Sequence, residues 1–169
     1  TGLKVASSLD DASAFAVAQG IRGEIRALDS VIQGLNNSKA VGKVAVAGAT
    51  AVSDLMVDIR QKLTELANSS ISTAQRTIIQ NDYNELISQA ANFVQNATYN
   101  GFQLLTSSAN SVNTLANLGG AQLTLTRQRD LHNHLLSLAG ITINTAVNAQ
   151  SVIVGQFTTL EAEVGAALG

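Results

Sequence analysis

The stretch Ile71–Phe102, "ISTAQRTIIQNDYNELISQAANFVQNATYNGF", decides the class of fold. Within it Ile79, Tyr83, Leu86, Ala90, Phe93 and Ala97 recur at alternating spacings of four and three residues, which keeps them on one stripe of an α-helix. Ile87 and Val94 widen that stripe and suit it to burial in a bundle. Ahead of it lies "NSSIST" (Asn68–Thr73), a polar turn in which Ser72 or Thr73 can cap the helix by accepting from a free backbone N–H. Behind it, Asn100-Gly101 supplies the positive φ angles of a tight turn. The pattern predicts a helix over about 73–98.

Upstream, Ile21, Ile25, Leu28, Ile32 and Leu35 form a second stripe at the same spacing, and Val52, Leu55, Ile59, Leu63 and Leu66 resume it after a slip of one position. We read one long helix over about 10–67, with a break near Asn36–Gly42 as the alternative, because glycines weaken helices. On the unbroken reading, Gly42, Ala45, Gly48 and Ala49 form a strip of small residues that admits a neighbouring helix closely. Such a helix is on the order of 80 Å long at 1.5 Å per residue, so its ends must rest on partner helices or other subunits. Downstream, Leu123 and Leu125 alternate with Thr124 and Thr126 beside Gly119-Gly120, which predicts a β-hairpin region over about 107–128 packed against the helices. "RDLHNHLLSLAG" reads as a short helical turn. A last helix follows over about 145–168, with the stripe Ala146, Ala149, Ile153, Phe157, Leu160 and Val164. The expected fold is mainly α, a single domain over 1–169 built as an elongated bundle of long helices with heptad seams plus a small β-hairpin region. Its core seam is expected to hold Ile25, Leu28, Ile32, Leu55, Ile59 and Leu66 from the first helix. Ile79, Leu86 and Phe93 come from the second, and Ile153, Phe157 and Leu160 from the last.

Composition narrows the function. The 169 residues are 46% hydrophobic but only 4% aromatic, with no Pro, Trp or Cys, a mixture that favours long, closely packed helices. A net charge of −2 with 13% charged residues leaves no electrostatic footprint for nucleic acid or an anionic membrane. No run of 18 apolar residues appears, so no membrane span is expected. Without Cys there are no disulfides, thiolate nucleophiles or cysteine zinc sites. Asp10 and Asp11, side by side before the first helix, suit capping and the helix dipole; as neighbours they point different ways and do not form a catalytic pair. His132 and His134 stand two apart and lack the further ligands of a zinc site. With no nucleophile motif or phosphate loop either, the sequence carries no enzyme, cofactor or metal expectation. It starts without Met and stops just after a helical pattern, which suggests a fragment.

Three motifs in order carry a family resemblance. "TGLKVASSLDDASAFAVAQGIRGEIRAL" (Thr1–Leu28) resembles the start of the bacterial flagellin core domain, whose pattern is S-T-G-L-R-I, a short spacer, D-D-A, an apolar helix, then I-R-G-L. "DIRQKLTELANSS" (Asp58–Ser70) is similar to the family's R-E-L-A segment, and "ATYNGFQLL" (Ala97–Leu105) to its F-N-G-x-x-L-L. On this resemblance the motif residues are Asp10, Asp11, Arg22, Arg26, Glu65, Leu66, Ala67, Tyr99, Asn100 and Gly101.

The resemblance implies a structural subunit of the flagellar filament. Such a subunit is extracellular, exported without a cleaved signal peptide, and assembles with other flagellin subunits without catalysis to support swimming. The family's terminal segments are missing on both sides, so this stretch alone is expected to be mainly monomeric. Thr64 stands where many relatives carry the Arg of R-E-L-A, so recognition by the vertebrate flagellin receptor is not expected. Two alternatives compete. A hook-filament junction (hook-associated) protein shares the core but usually follows D-D with Pro, where this chain has Ala12. A chemoreceptor-like signalling coiled coil shares the heptads but has no strands. A sugar-binding role lacks aromatic stacking platforms, with no Trp and two Tyr.

Overall fold

The computed structural model describes residues 12–106, 110–128 and 130–169. In chain order these form helix α1 (Ala12–Leu66), helix α2 (Thr73–Asn96), strands β1 (Val112–Leu115) and β2 (Gln122–Leu125), and helices α3 (Leu131–Ala139), α4 (Ala146–Val152) and α5 (Thr158–Leu168). A π-turn, Ile153–Phe157, joins α4 to α5. Two compact units result. The first takes α1 up to Lys39 together with Asn113–Leu125, and the second takes Ala40–Val112 with Thr126–Gly169. Asp10 and Asp11 lie outside the described residues.

In the second unit, α1 buries Val41, Ala45, Ala49, Val52, Met56, Ile59, Leu63 and Leu66. From Ala49 onward these alternate three and four apart, the stripe of a packed helix. Opposite them α2 buries Tyr83, Ile87, Ala90 and Val94, followed by Ala97. The pairing is tightest at Gly48, where a methyl group would lie 2.7 Å from the Ala97 Cβ and 3.3 Å from Leu105 Cδ1. The small-residue strip is therefore a point of backbone approach and not a break in the helix. The expected seam of α2 is corrected as well. On α2 Val94 is fully buried while Phe93 is 39% exposed. Ile79 and Leu86 are half-buried flanks of the stripe, as Leu55 is on α1.

Polar groups close the ends of this pair. Asn68 Oδ1 accepts from the Ser70 N–H (2.9 Å) and hydroxyl (2.7 Å), which turns the chain after α1. Ser72 caps α2 in a reciprocal box with Gln75: the Gln75 N–H donates to Ser72 Oγ (3.2 Å) and the Ser72 N–H to Gln75 Oε1 (2.9 Å). No basic residue lies in the last turn of α1. Instead Arg76 reaches back from α2, donating to the Leu66 carbonyl and, at 3.0 Å, to that of Asn68. Lys62 Nζ and Asp82 Oδ2, 2.9 Å apart, join the two helices, and this hydrogen bond raises the Lys62 ammonium above its ordinary pKa.

"RDLHNHLLSLAG" forms α3, a full helix capped by Asp130, whose Leu131, Leu135 and Leu138 are buried. Two α2 side chains hold it and the loop behind it. The Tyr83 hydroxyl donates to the Leu138 carbonyl (3.3 Å), and Gln80 Oε1 accepts from the Ile143 N–H (2.8 Å). Burial pushes the Tyr83 phenol well above its ordinary pKa. At the C-terminal end, Ala149, Val152, Phe157, Leu160 and Val164 are buried and Ile153 is half-buried. The step of five from Val152 to Phe157 is absorbed by the π-turn, which holds one residue more than an α-turn.

In the first unit the hairpin meets α1 through polar and small groups. The Ser38 and Thr114 hydroxyls share a hydrogen bond, and a methyl at Gly34 would stand 3.2 Å from Thr114 Cγ2. Leu123, expected on the packed face, is 46% exposed and Leu125 half-buried. The pleat of β1 alternates half-buried and exposed positions, which sets Thr114 on the covered side and leaves Leu115 out.

Gly48→Ala should cost about 1–3 kcal/mol by overpacking. Gly23→Ala, where a methyl meets nothing within 4 Å, should gain up to about 1 kcal/mol of helix propensity. Thermal melts of the two variants distinguish the sites. The raised Tyr83 pKa has a definite sign: its stabilising share is complete below the ordinary phenol range near pH ~10 and is lost above it, where the unfolded chain ionises first. In alkaline unfolding followed by phenolate absorbance, Tyr83→Phe should remove that part of the loss.

Candidate functional surface

Among the described residues no group of three His, Cys, Asp or Glu side chains is placed to hold a metal ion. The two histidines diverge because positions two apart on a helix point to opposite sides. His132 Nδ1 faces the Ala91 carbonyl of α2 at 3.4 Å, while His134 Nδ1 lies 2.8 Å from Glu163 Oε2 of α5. Both are contacts between helices.

The motif residues do not converge on one site. Arg22 and Arg26 lie on α1 in the first unit. Glu65, Leu66 and Ala67 end α1 in the second, where Leu66 is fully buried and Glu65 Oε1 accepts from Gln61 Nε2 at 2.9 Å. Tyr99, Asn100 and Gly101 make the turn after α2. Asn100 and Gly101 have φ of 49° and 79°, and Tyr99 and Phe102 exchange two backbone bonds of 3.0 and 2.9 Å across them. These residues serve ends and turns.

An exposed apolar stripe lies on α1. Ile25, Leu28 and Ile32, expected in the core seam, are 53, 45 and 54% exposed, and Val17 and Ile21 extend the same stripe. Val31, beside it, is buried. Further along the same helix, the stripe from Val41 to Leu66 is closed by α2 and the C-terminal helices. The first part therefore carries a heptad-spaced apolar seam, about four turns long, with its large side chains in water. Among the described residues no segment covers these side chains, which their spacing in the sequence does not reveal.

α1 also bears on the membrane expectation. An 18-residue window of it reaches a mean hydropathy of 1.4, enough by length and composition to cross a bilayer, which a count of unbroken apolar residues missed. In that part of α1 Val41, Ala45, Ala49, Val52 and Met56 are buried in the second unit, while Val46 and Val57 are 46 and 71% exposed.

The sequence model of the bacterial flagellin N-terminal helical region matches residues 1–110. Flagellin FljK of Caulobacter vibrioides is 27% identical over 159 residues, covering 90% of this chain and 56% of the relative. Flagellin FlaB2 of Treponema pallidum is 30% identical over 106 residues, covering 63% of this chain and 37% of the relative. The chain thus spans about half the length, or less, of the curated relatives it matches. In three dimensions it is similar to the crystal structure of Bacillus cereus flagellin, with a TM-score of 0.67 at 15% identity, covering 80% of this chain and 79% of that one. At that identity the likeness concerns the fold alone.

Ile25→Gln with Leu28→Gln should leave the melting of this chain within about 0.5 kcal/mol of the parent, as expected of exposed positions. Ile59→Ala, at a fully buried position, should cost about 2–5 kcal/mol. Denaturant titration of both variants checks whether the seam is external.

Proposed function

This chain belongs to the bacterial flagellin family, and from that premise we propose that it is the helical core of a structural subunit of the flagellar filament. It assembles with other flagellin subunits by helix packing and so supports swimming motility. The observation that carries the proposal is the exposed seam Val17, Ile21, Ile25, Leu28 and Ile32 on a helix whose continuation carries a buried stripe from Val41 to Leu66. Apolar side chains at heptad spacing in water are stabilised when another helix covers them.

The work of such a subunit is mechanical. We propose no reaction and no cofactor, no nucleic-acid partner and no membrane-spanning role. The place of action is the extracellular filament, reached by export without a cleaved signal peptide. The 169 residues alone are proposed to be mainly monomeric, because four turns of exposed seam are short for a self-sufficient helix pair; sedimentation that found long polymers would overturn this. Recognition by the vertebrate flagellin receptor is not expected, since Thr64 offers no cation and turns its hydroxyl onto the Arg60 carbonyl at 2.8 Å.

Two observations weigh against the alternatives. The antiparallel pair β1–β2 is foreign to a two-helix signalling coiled coil. Ala12, in place of the Pro that usually follows D-D in hook-associated proteins, opens α1.

In cells relying on this flagellin, Ile25→Gln with Leu28→Gln should abolish swimming and filaments visible by electron microscopy, while the protein is still made and folded. Normal filaments from that variant would refute the seam as an assembly surface.

A further inference from the structure

The C-terminal helix carries two apolar stripes that share most of their residues. In the structure the buried positions are Ala149, Val152, Phe157, Leu160 and Val164, and the step of five is taken up by the π-turn. An unbroken α-helix would instead read Ala149, Ile153, Phe157, Leu160 and Val164, at steps of four, four, three and four, also a continuous stripe. The two differ in which of two adjacent β-branched residues faces inward. Val152 does so here at 6% exposure, and Ile153 stands beside it half-buried.

We propose that α4 and the π-turn form a register switch, in which α4 turns between the observed packing on Val152 and an all-α packing on Ile153. Resolving the π-turn into α-turns rotates α4 by roughly a quarter turn relative to α5, because a π-turn spreads one rotation over more residues.

Local bonding permits this motion. The hydrogen bonds of α4 side chains are all short-range and would turn with it. The Asn148 N–H donates to Thr145 Oγ1 (3.1 Å), Asn148 Nδ2 to Asn144 Oδ1 (2.8 Å), and Ser151 Oγ to the Val147 carbonyl (3.1 Å). The loop before α4 is held, since the Ile143 N–H is bound by Gln80, so the pivot lies between Ile143 and Asn144, and Asn144 and Thr145 turn with α4. On the other side Phe157, Leu160 and Val164 anchor α5 in either state.

One side chain favours the observed state. Thr158 Oγ1 donates to the Ile153 carbonyl, five residues back, at 2.9 Å. In a regular helix a Thr hydroxyl reaches the carbonyl three or four residues back, as Thr159 does to Gly155 at 3.0 Å. The Thr158 bond therefore exists only with the π-turn in place, where it satisfies a carbonyl that the turn displaces. The π-turn bulges Val154 outward to 78% exposure, so the switch also changes the surface this helix shows to a neighbour.

The chain has no cysteine, which makes a spin-label test direct. With labels at Ser88→Cys on α2 and Gln150→Cys on α4, pulsed electron-spin distances read the rotation of α4. Val152→Ser and Thr158→Val should each shift population to a second distance, while Ile153→Ser keeps the parent distance. In thermal melts, Val152→Ser with Ile153→Ser should lose several degrees more than the sum of the single losses, because neither register remains apolar. Parent distances in both Val152→Ser and Thr158→Val, with additive melting losses, would overturn the switch. If Val152→Ser does not fold, Thr158→Val at its exposed position decides alone, and an unshifted distance there overturns the proposal.

Discussion

Backbone approach at Gly48 is the constraint on which the second unit depends. A Cβ at that position would overlap Ala97 and crowd Leu105, so α1 and α2 lie nearer than side chains of ordinary size allow. Of a stripe whose sequence offers two edges, Val94 and Ile87 form the buried one, while Phe93 is 39% exposed. The inward edge then positions Tyr83 and Gln80, whose polar ends take up backbone groups of α3 and the loop behind it. A helix interior normally disfavours glycine by up to about 1 kcal/mol, and here that cost is offset by packing against a neighbouring chain segment.

The ends of the pair follow a related logic. A helix end leaves carbonyls without partners, and α1 has no basic residue of its own to meet them. Arg76, ten residues on from Leu66 and across a turn, supplies two donors at once. Folding α2 back along α1 thereby satisfies the terminus of α1, and the polar turn, the capping box and the Lys62–Asp82 bond act together with it.

The same helix contains a closed stripe and an open one. From Val41 to Leu66 one apolar stripe is buried, whereas Val17, Ile21, Ile25, Leu28 and Ile32 are exposed. Composition does not distinguish the two parts, since both are heptad-spaced aliphatic runs in one helix without proline. What separates them is whether another segment of this chain lies alongside, a property of the path of the chain and of its partners.

Periodicity and turn chemistry are local, and the sequence by itself determined what they control. Helical spacing over α1 and α2, Ser72 as a cap and Asn100-Gly101 as a positive-φ turn are all written within a few residues of where they act. Ile59, Leu66, Phe157 and Leu160 lie in the middle of their stripes, and all four are fully buried. Residues at the stripe edges depend on what stands opposite. Val94 rather than Phe93 is the buried residue of α2, and Thr114 is the hairpin's contact with Ser38 and Gly34. The exposure of Ile25, Leu28 and Ile32, on which the proposed assembly surface rests, likewise belongs to tertiary structure. A hydrophobic stripe records that a helix face is meant to be covered, but only the arrangement of the whole chain decides whether the cover is its own or another molecule's.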